Sequence, residues 1–397
     1  MYTKLDFAVS FIYVCLGLIS VGVFILLIMK ARNIRLMQQQ DAIMKKFKPY
    51  FIYLQRHIGD EGSFQPPKGA VTQLEARVIQ DKLMEWIERF RGKQREKLTR
   101  LCEDMGLVQA DLKKLNSMFY AKQMQAAFRL GGMRSPQAVP QLLELLRQEK
   151  AAELVRVIAR AIAKCADDAT SLEVMLRELA GREQHNELFA AEILEESSID
   201  VTPLLVKCLG DNNNCLVKTV LLALRGHAGP ELSPALLKLA DNKDKDIRSL
   251  AIKLLVRTGS VLTKDRLCSW FKDPEWEVRA AVAESLGTYH HVVSIVILKE
   301  ALTDTNWWVR YYSSKSLATM GDEGFRALCE AALEKDDPYK SDMAKDRIHE
   351  ELLREHYFAK RRKQKASQAT KRMLYEQYFG KAAAAPIFRS VGGDYSA

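Results

Sequence analysis

Two stretches decide the fold: Asp273-Pro-Glu-Trp-Glu-Val-Arg-Ala-Ala-Val-Ala-Glu-Ser-Leu-Gly287 and, 31 residues later, Asp304-Thr-Asn-Trp-Trp-Val-Arg-Tyr-Tyr-Ser-Ser-Lys-Ser-Leu-Ala318. In each an acidic residue precedes an apolar residue and a base, a small residue follows four positions after the base, and a leucine follows one turn later. Asp or Asp-Pro suits a helix start, because the carboxylate can take up free N–H groups at the positive end of the dipole. Ala283 and Ser314 allow close helix approach, and Leu286 and Leu317 supply core. Working outward, the apolar–base pair recurs as Val217-Lys218, Ile247-Arg248, Val278-Arg279 and Val309-Arg310, spaced by 30, 31 and 31 residues. Counting back by 31 reaches Glu187 and Arg156, and a first copy anchors near Gln123. Between these helices lie leucine-rich partners opened by proline, Pro140-Gln-Leu-Leu-Glu-Leu-Leu, Pro203-Leu-Leu-Val-Lys-Cys-Leu and Pro234-Ala-Leu-Leu-Lys-Leu, with proline in the first turn where a missing N–H costs little. A repeat of this length built from two amphipathic helices cannot bury its apolar face alone and must stack on its neighbours. The expectation is an all-α solenoid of about seven helical pairs over residues 118–337.

A different physics governs the amino terminus. Phe7 to Met29 is an uncharged run of 23 residues, long enough at ~1.5 Å per residue to cross a hydrocarbon core of ~30 Å. It lacks the short apolar region, preceding charge and small-residue site of a cleaved signal. Lys4 alone among side chains is basic before it, with Asp6 opposing, whereas Lys30, Arg32, Arg35, Lys45, Lys46 and Lys48 follow. The excess of bases after the run places the long carboxy-terminal part in the cytoplasm and the amino terminus outside, as a single-pass protein of the cell membrane. Residues 1–35 are read as the anchor.

Residues 36–117 are read as juxtamembrane helices that cap the repeats. Met37, Met44, Phe47, Phe51, Leu54 and Ile58 recur at helical steps, and Pro49 is expected to kink that helix. Such a stripe suits a dimerising coil or the headgroup boundary; packing against the chain's own cytoplasmic domain is the favoured account. Thr72-x-x-Glu75 then opens a helix with a capping box, and Leu74, Val78, Leu83, Ile87 and Phe90 form its buried stripe. After Asp337 a single long helix is expected, followed by a loose tail, with Lys360, Arg361, Arg362, Lys363 and Lys365 as candidates for anionic lipid or another polyanion.

The net charge of +10 favours anionic surroundings without choosing among lipid, nucleic acid and acidic protein. Seven scattered cysteines with no Cys-x-x-Cys pair indicate neither a zinc site nor a disulfide framework, which fits a reducing compartment. Adjacent His290 and His291 sit in a turn and make a poor metal pair. No cofactor is called for.

The Asp-Pro-x-x-x-Val-Arg opening resembles HEAT repeats, especially the short bacterial class also found in phycobilin lyases, and the resemblance covers a little over half of the chain. Trp307-Trp308-Val309-Arg310-Tyr311-Tyr312, followed by Asp337-Pro338-Tyr339, is similar to membrane-anchored bacterial HEAT-repeat proteins that accompany family 2 glycosyltransferases. The resemblance implies a non-catalytic scaffold or regulator whose partner is a protein in or at the membrane, with a polysaccharide glycosyltransferase as the leading identity. The recurring bases Lys218, Arg248, Arg279 and Arg310 could form an anion-binding stripe, but the resemblance implies instead a structural ladder between units. The paired His-Glu motifs of HEAT-type hydroxylases are absent, since only His349-Glu350 occurs. Competing classes are a HEAT-fold enzyme, glycosylase-like or bilin-lyase-like, and a basic nucleic-acid-binding solenoid; the anchor disfavours nucleic acid. Trp276 and Trp307 are one period apart and so are expected to share a packing role. Trp308, Tyr311 and Tyr312 have no counterparts in Glu277, Ala280 and Ala281, which marks them either as a partner surface or as a cover for the end of the array.

Overall fold

A computed structural model describes residues 4–182, 186–226, 229–259, 262–289, 292–362 and 365–380. Among these the regular structure is helical throughout. The chain divides into two compact units, residues 1–175 with 196–199 and residues 176–195 with 200–397.

The first unit opens with α1 (Lys4–Arg56), α2 (Gln73–Arg89), α3 (Lys93–Asp104) and α4 (Leu107–Leu115), and continues with the pair α5 (Tyr120–Met133) and α6 (Val139–Gln148) and then α7 (Ala152–Cys165). α1 is long and apolar enough to cross a membrane. Every large hydrophobe from Phe11 to Met29 is exposed, so none of the described residues covers that stretch. The helix runs on through Pro49 to Arg56. Proline removes one ladder hydrogen bond, but side chains on either side of it dock. Phe51 and Leu54 are buried, and the Phe51 ring meets Trp86 edge-on at 5.8 Å. Lys46 Nζ also reaches Glu75 Oε1 at 2.6 Å. The Thr72 capping box is formed in full, Thr72 Oγ1 accepting from the Glu75 N–H while Glu75 accepts from the Thr72 N–H at 2.8 Å. Residues 196–199 join this unit through Arg134, whose Nη1 donates to the Glu196 carbonyl at 2.8 Å and to Ser198 Oγ at 3.3 Å.

The second unit holds the remaining pairs: α9 (Glu187–Leu194) with α10 (Thr202–Cys208), α11 (Asn214–Ala223) with α12 (Ser233–Leu239), α13 (Lys245–Thr258) with α14 (Lys264–Trp270), α15 (Trp276–Leu286) with α16 (Val292–Ala301), and α17 (Trp307–Thr319) with α18 (Gly321–Leu333). α8 (Ala169–Ala180) follows α7 in sequence and completes the count at seven pairs. Within the second unit α9, α11, α13, α15 and α17 stack in one layer, while α14, α16 and α18 adjoin in the other. The core lies between the layers. Leu286, Leu317, Ala283 and Ser314 are fully buried there, and at Gly287 a side chain would collide with Ser316, an approach only glycine permits.

Three local expectations are corrected. Glu187, placed by counting at the position of the repeating base, is instead the first residue of α9, so the register slips in that copy. Asp273 and Asp304 stand before the cap residues Glu275 and Asn306 rather than acting as caps. The carboxy-terminal region forms two helices, α19 (Pro338–Arg362) and α20 (Lys365–Phe379), where one was expected. They pack together, with buried Lys371 reaching Glu351 Oε2 at 3.3 Å. Leu374 supplies the reason, because a single extended helix would carry it away from α18 and α19 and leave it in water.

Candidate functional site: the ladder and the aromatic end of the second unit

A turn of fixed chemistry precedes each first helix of the second unit's later repeats. Positions 211, 242, 273 and 304, each 31 residues apart, are Asp, Asn, Asp and Asp. Each side chain accepts the N–H two residues on, at 2.9, 2.8, 2.9 and 2.8 Å respectively, which closes the turn. In Asp273 and Asp304 the carboxylate has capacity left for the preceding unit. Arg248 grips Asp273 with Nε and Nη2 at 2.8 and 2.9 Å, and Arg279 grips Asp304 the same way at 2.7 and 2.9 Å. The Nη1 group of each points back to its own turn, Arg248 to the carbonyls of Asn242 and Lys243, and Arg279 to those of Asp273 and Pro274. Lys218, a point charge rather than a fork, bridges Asp244 and Asp246, both at 2.9 Å. Burial pushes the Asp304 carboxyl up, but the Arg279 fork outweighs it and holds the group below the usual carboxylate range.

Arg310 differs. Its Nη1 donates to the carbonyls of Asp304 and Thr305 at 2.7 and 3.1 Å, as its predecessors do, yet its Nε is screened from solvent and has no acceptor. The Tyr339 ring lies over the guanidinium at 5.3 Å.

Beside it α17 carries four adjoining rings. Trp307 stacks on Tyr311 at 5.0 Å, Trp308 stacks on Tyr312 at 6.1 Å, and the two tryptophans meet edge-on at 4.8 Å. Trp308 is 45% exposed and Tyr311 and Tyr312 are partly covered, Tyr311 by Arg347 at 5.0 Å. Trp307, expected to pack like the partly buried Trp276, is 48% exposed and belongs to the aromatic surface. The signal for it was the four-residue step to Tyr311, which puts both rings on one helix face. Tyr339, 72% exposed, extends the surface from α19.

The side chains of Lys360, Arg361, Arg362, Lys363 and Lys365 lie outside the described residues, as do His290 and His291. Further along, Lys371 and Arg372 are engaged with Glu351 and Glu376. Among the described residues no three His, Cys, Asp or Glu side chains gather as metal ligands would. A groove lined by Leu221, Arg225, Lys253, Arg257 and Glu284 has bases along it, with Lys253 paired to Glu284 at 2.6 Å. Sequence reasoning had not singled it out, because its residues come from three repeats. Burial pushes the thiols of Cys102 and Cys165 up to about 12, which makes them poor nucleophiles.

Comparison with known families matches residues 201–287 and 264–344 to HEAT repeats and residues 122–148 to the PBS lyase HEAT-like repeat. Among solved structures, that of YibA from Escherichia coli is 15% identical, covering 72% of this chain and 98% of its own at a TM-score of 0.31. An engineered protein is 17% identical, covering 60% of this chain and 93% of its own at a TM-score of 0.18. At these scores neither adds to what the repeat models show. No curated protein matches the chain. The repeated turn, the stacked helical pairs and the family matches agree: residues 201–344 are HEAT repeats, residues 122–148 are a PBS lyase HEAT-like repeat, and the protein is an all-α solenoid.

Proposed function

We propose that this protein is a membrane-anchored scaffold or regulator that binds a protein partner non-covalently, with the HEAT repeats in the cytoplasm. The observation that carries the reading is the aromatic surface of Trp307, Trp308, Tyr311 and Tyr312, which combines large rigid rings with substantial exposure on a helix whose opposite face is fixed in the core. Rings of that kind dominate the energetics of protein interfaces. The uncovered stretch from Phe11 to Met29 supports the anchor, and the bases that follow it support the orientation. The partner is a membrane protein, for which a family 2 glycosyltransferase of surface-polysaccharide synthesis is the candidate that the Trp307–Tyr312 resemblance names. Anionic lipid beneath residues 360–365 is a secondary contact.

The test is affinity capture of the tagged full-length protein from membranes, read by mass spectrometry, for the native chain and for Trp308→Ala with Tyr312→Ala. Loss of one abundant membrane partner with an unchanged melting temperature is the expected result, because exposed interface rings can each contribute ~2 kcal/mol or more to binding. Unfolding of the double variant, or undiminished capture, would show that the rings merely cover the end of the repeats.

A further inference from the structure

We propose that Arg310 is an open receptor for a carboxylate side chain presented by an acidic segment of a partner protein, with Trp307, Trp308 and Tyr339 receiving the apolar neighbours of that carboxylate. The inference deepens the functional reading above and rests on it for the side of the molecule that the partner meets. Its warrant comes from two filled copies of the same fork. Arg248 and Arg279 each close Nε and Nη2 on an aspartate 25 residues further along the chain, three residues before the next first helix begins. Counting 25 from Arg310, or three back from the start of α19 at Pro338, reaches the same residue by both routes, and it is Lys335. The series Asp211, Asn242, Asp273, Asp304 thus ends in a base that can neither close the turn nor accept from Arg310.

Neither aspartate that follows Lys335 is a substitute: Asp336 is adjacent to it, yet Arg310 Nε has no acceptor. Asp337 Oδ1 accepts the Lys340 N–H at 3.1 Å in the first turn of α19. Arg310 therefore keeps its positioning bonds to the Asp304 and Thr305 carbonyls, which hold the guanidinium in the orientation of its two predecessors, while the edge that takes a carboxylate in them is without one. A buried donor without an acceptor is costly, and a carboxylate that accepts from Nε and Nη2 together removes that cost with two charge-assisted bonds. Tyr339 covers the fork now, but its ring is 72% exposed and has room to turn aside. Lys315, near Tyr312, adds positive charge beside the rings, while Arg347 over Tyr311 is already paired with Glu350 at 2.6 Å, so Lys315 and Arg310 are the bases that favour an acidic segment over a basic one.

Full-length protein in lipid nanodiscs is panned against displayed random linear peptides, and enriched peptides are then measured by fluorescence anisotropy. The expected consensus is an Asp or Glu flanked by apolar residues. Replacing that acid by its amide should weaken binding roughly tenfold or more, as should Arg310→Gln. The decisive variant is Lys335→Asp, which restores the aspartate of the series: it should raise the melting temperature and weaken acidic-peptide binding by a similar factor, whereas Lys335→Gln should leave most of the binding. Peptides that need Trp308 but are indifferent to their own carboxylate, or a Lys335→Asp protein that is neither stabilised nor blocked, would overturn the Arg310 receptor while leaving the aromatic surface standing. No enrichment, or enrichment insensitive to both Trp308→Ala and Arg310→Gln, would overturn both.

Discussion

At the scale of single residues, Arg279 shows how one side chain joins three jobs: it grips Asp304 across units, satisfies two carbonyls of its own turn, and leaves the aspartate's remaining capacity to the Asn306 N–H. Arg279→Ala should cost about 2 kcal/mol, below the ~3–5 of a fully buried pair because both groups retain some solvent; chemical denaturation checks this. Asp304, held below its usual range, contributes stability that is present above the unfolded value and lost as pH falls through the folded one, so the variant should also be less acid-sensitive. Leu286 makes a complementary case. It is fully buried, and Leu286→Ala should open a cavity costing roughly 2–5 kcal/mol, with hydrogen exchange rising across residues 245–320. Unchanged protection there would show that the repeats do not share a core at that point. Both residues were legible as repeating positions in the sequence, but the partner of Arg279 was not, since the bond spans 25 residues and needs the stacked turns to bring it together.

At the scale of elements, the junction between α1 and α2 is the most sharply testable. Glu75 accepts from Lys46 and from the Thr72 N–H and hydroxyl, and these bonds lower its pKa to about 2 from an ordinary 4.5. A depressed carboxylate contributes stability that is fully present above the unfolded pKa and lost as pH falls towards the folded one. The docking of residues 44–56 should therefore loosen between pH 4.5 and about 2, seen as faster hydrogen exchange in α1 and altered fluorescence of Trp86. Glu75→Gln should show the loosened behaviour at neutral pH and no further change in that window. A native junction that is indifferent to acid would exclude this ion pair as the clasp. The capping box was readable from Thr72 and Glu75 alone because its geometry is local; Lys46 was not, because it comes from another helix.

At the scale of the whole molecule, the proposed orientation follows from charge on either side of Phe7 to Met29, with one base before and six after. A reporter fused after Ala397 should be active only if it works in the cytoplasm. Activity of a periplasmic or extracellular reporter at that position would reverse the topology and remove the cytoplasmic partner with it. The array itself is independent of that outcome, since its core lies between its own helix layers.

The apolar run, the capping box and the 31-residue spacing were determined by the sequence alone, because hydropathy, helix caps and periodicity are local properties that each stretch carries with it. The slip at Glu187 escaped counting because a period marks where a unit recurs, not where its helix begins. Tertiary structure decided the rest. Only stacking showed that Asp273 and Asp304 serve a neighbour's arginine as well as their own turn, that Trp307 faces solvent although it keeps the spacing of a packed residue, and that α20 returns onto α19. Only stacking, too, gave Lys335 meaning: in the sequence it is one base among many, and in the fold it stands where the four preceding turns, at 211, 242, 273 and 304, supply an acid or an amide. The reason is that a hydrogen bond's partner and a ring's exposure depend on what arrives from another helix, and that distance in space is not encoded by any single stretch of chain.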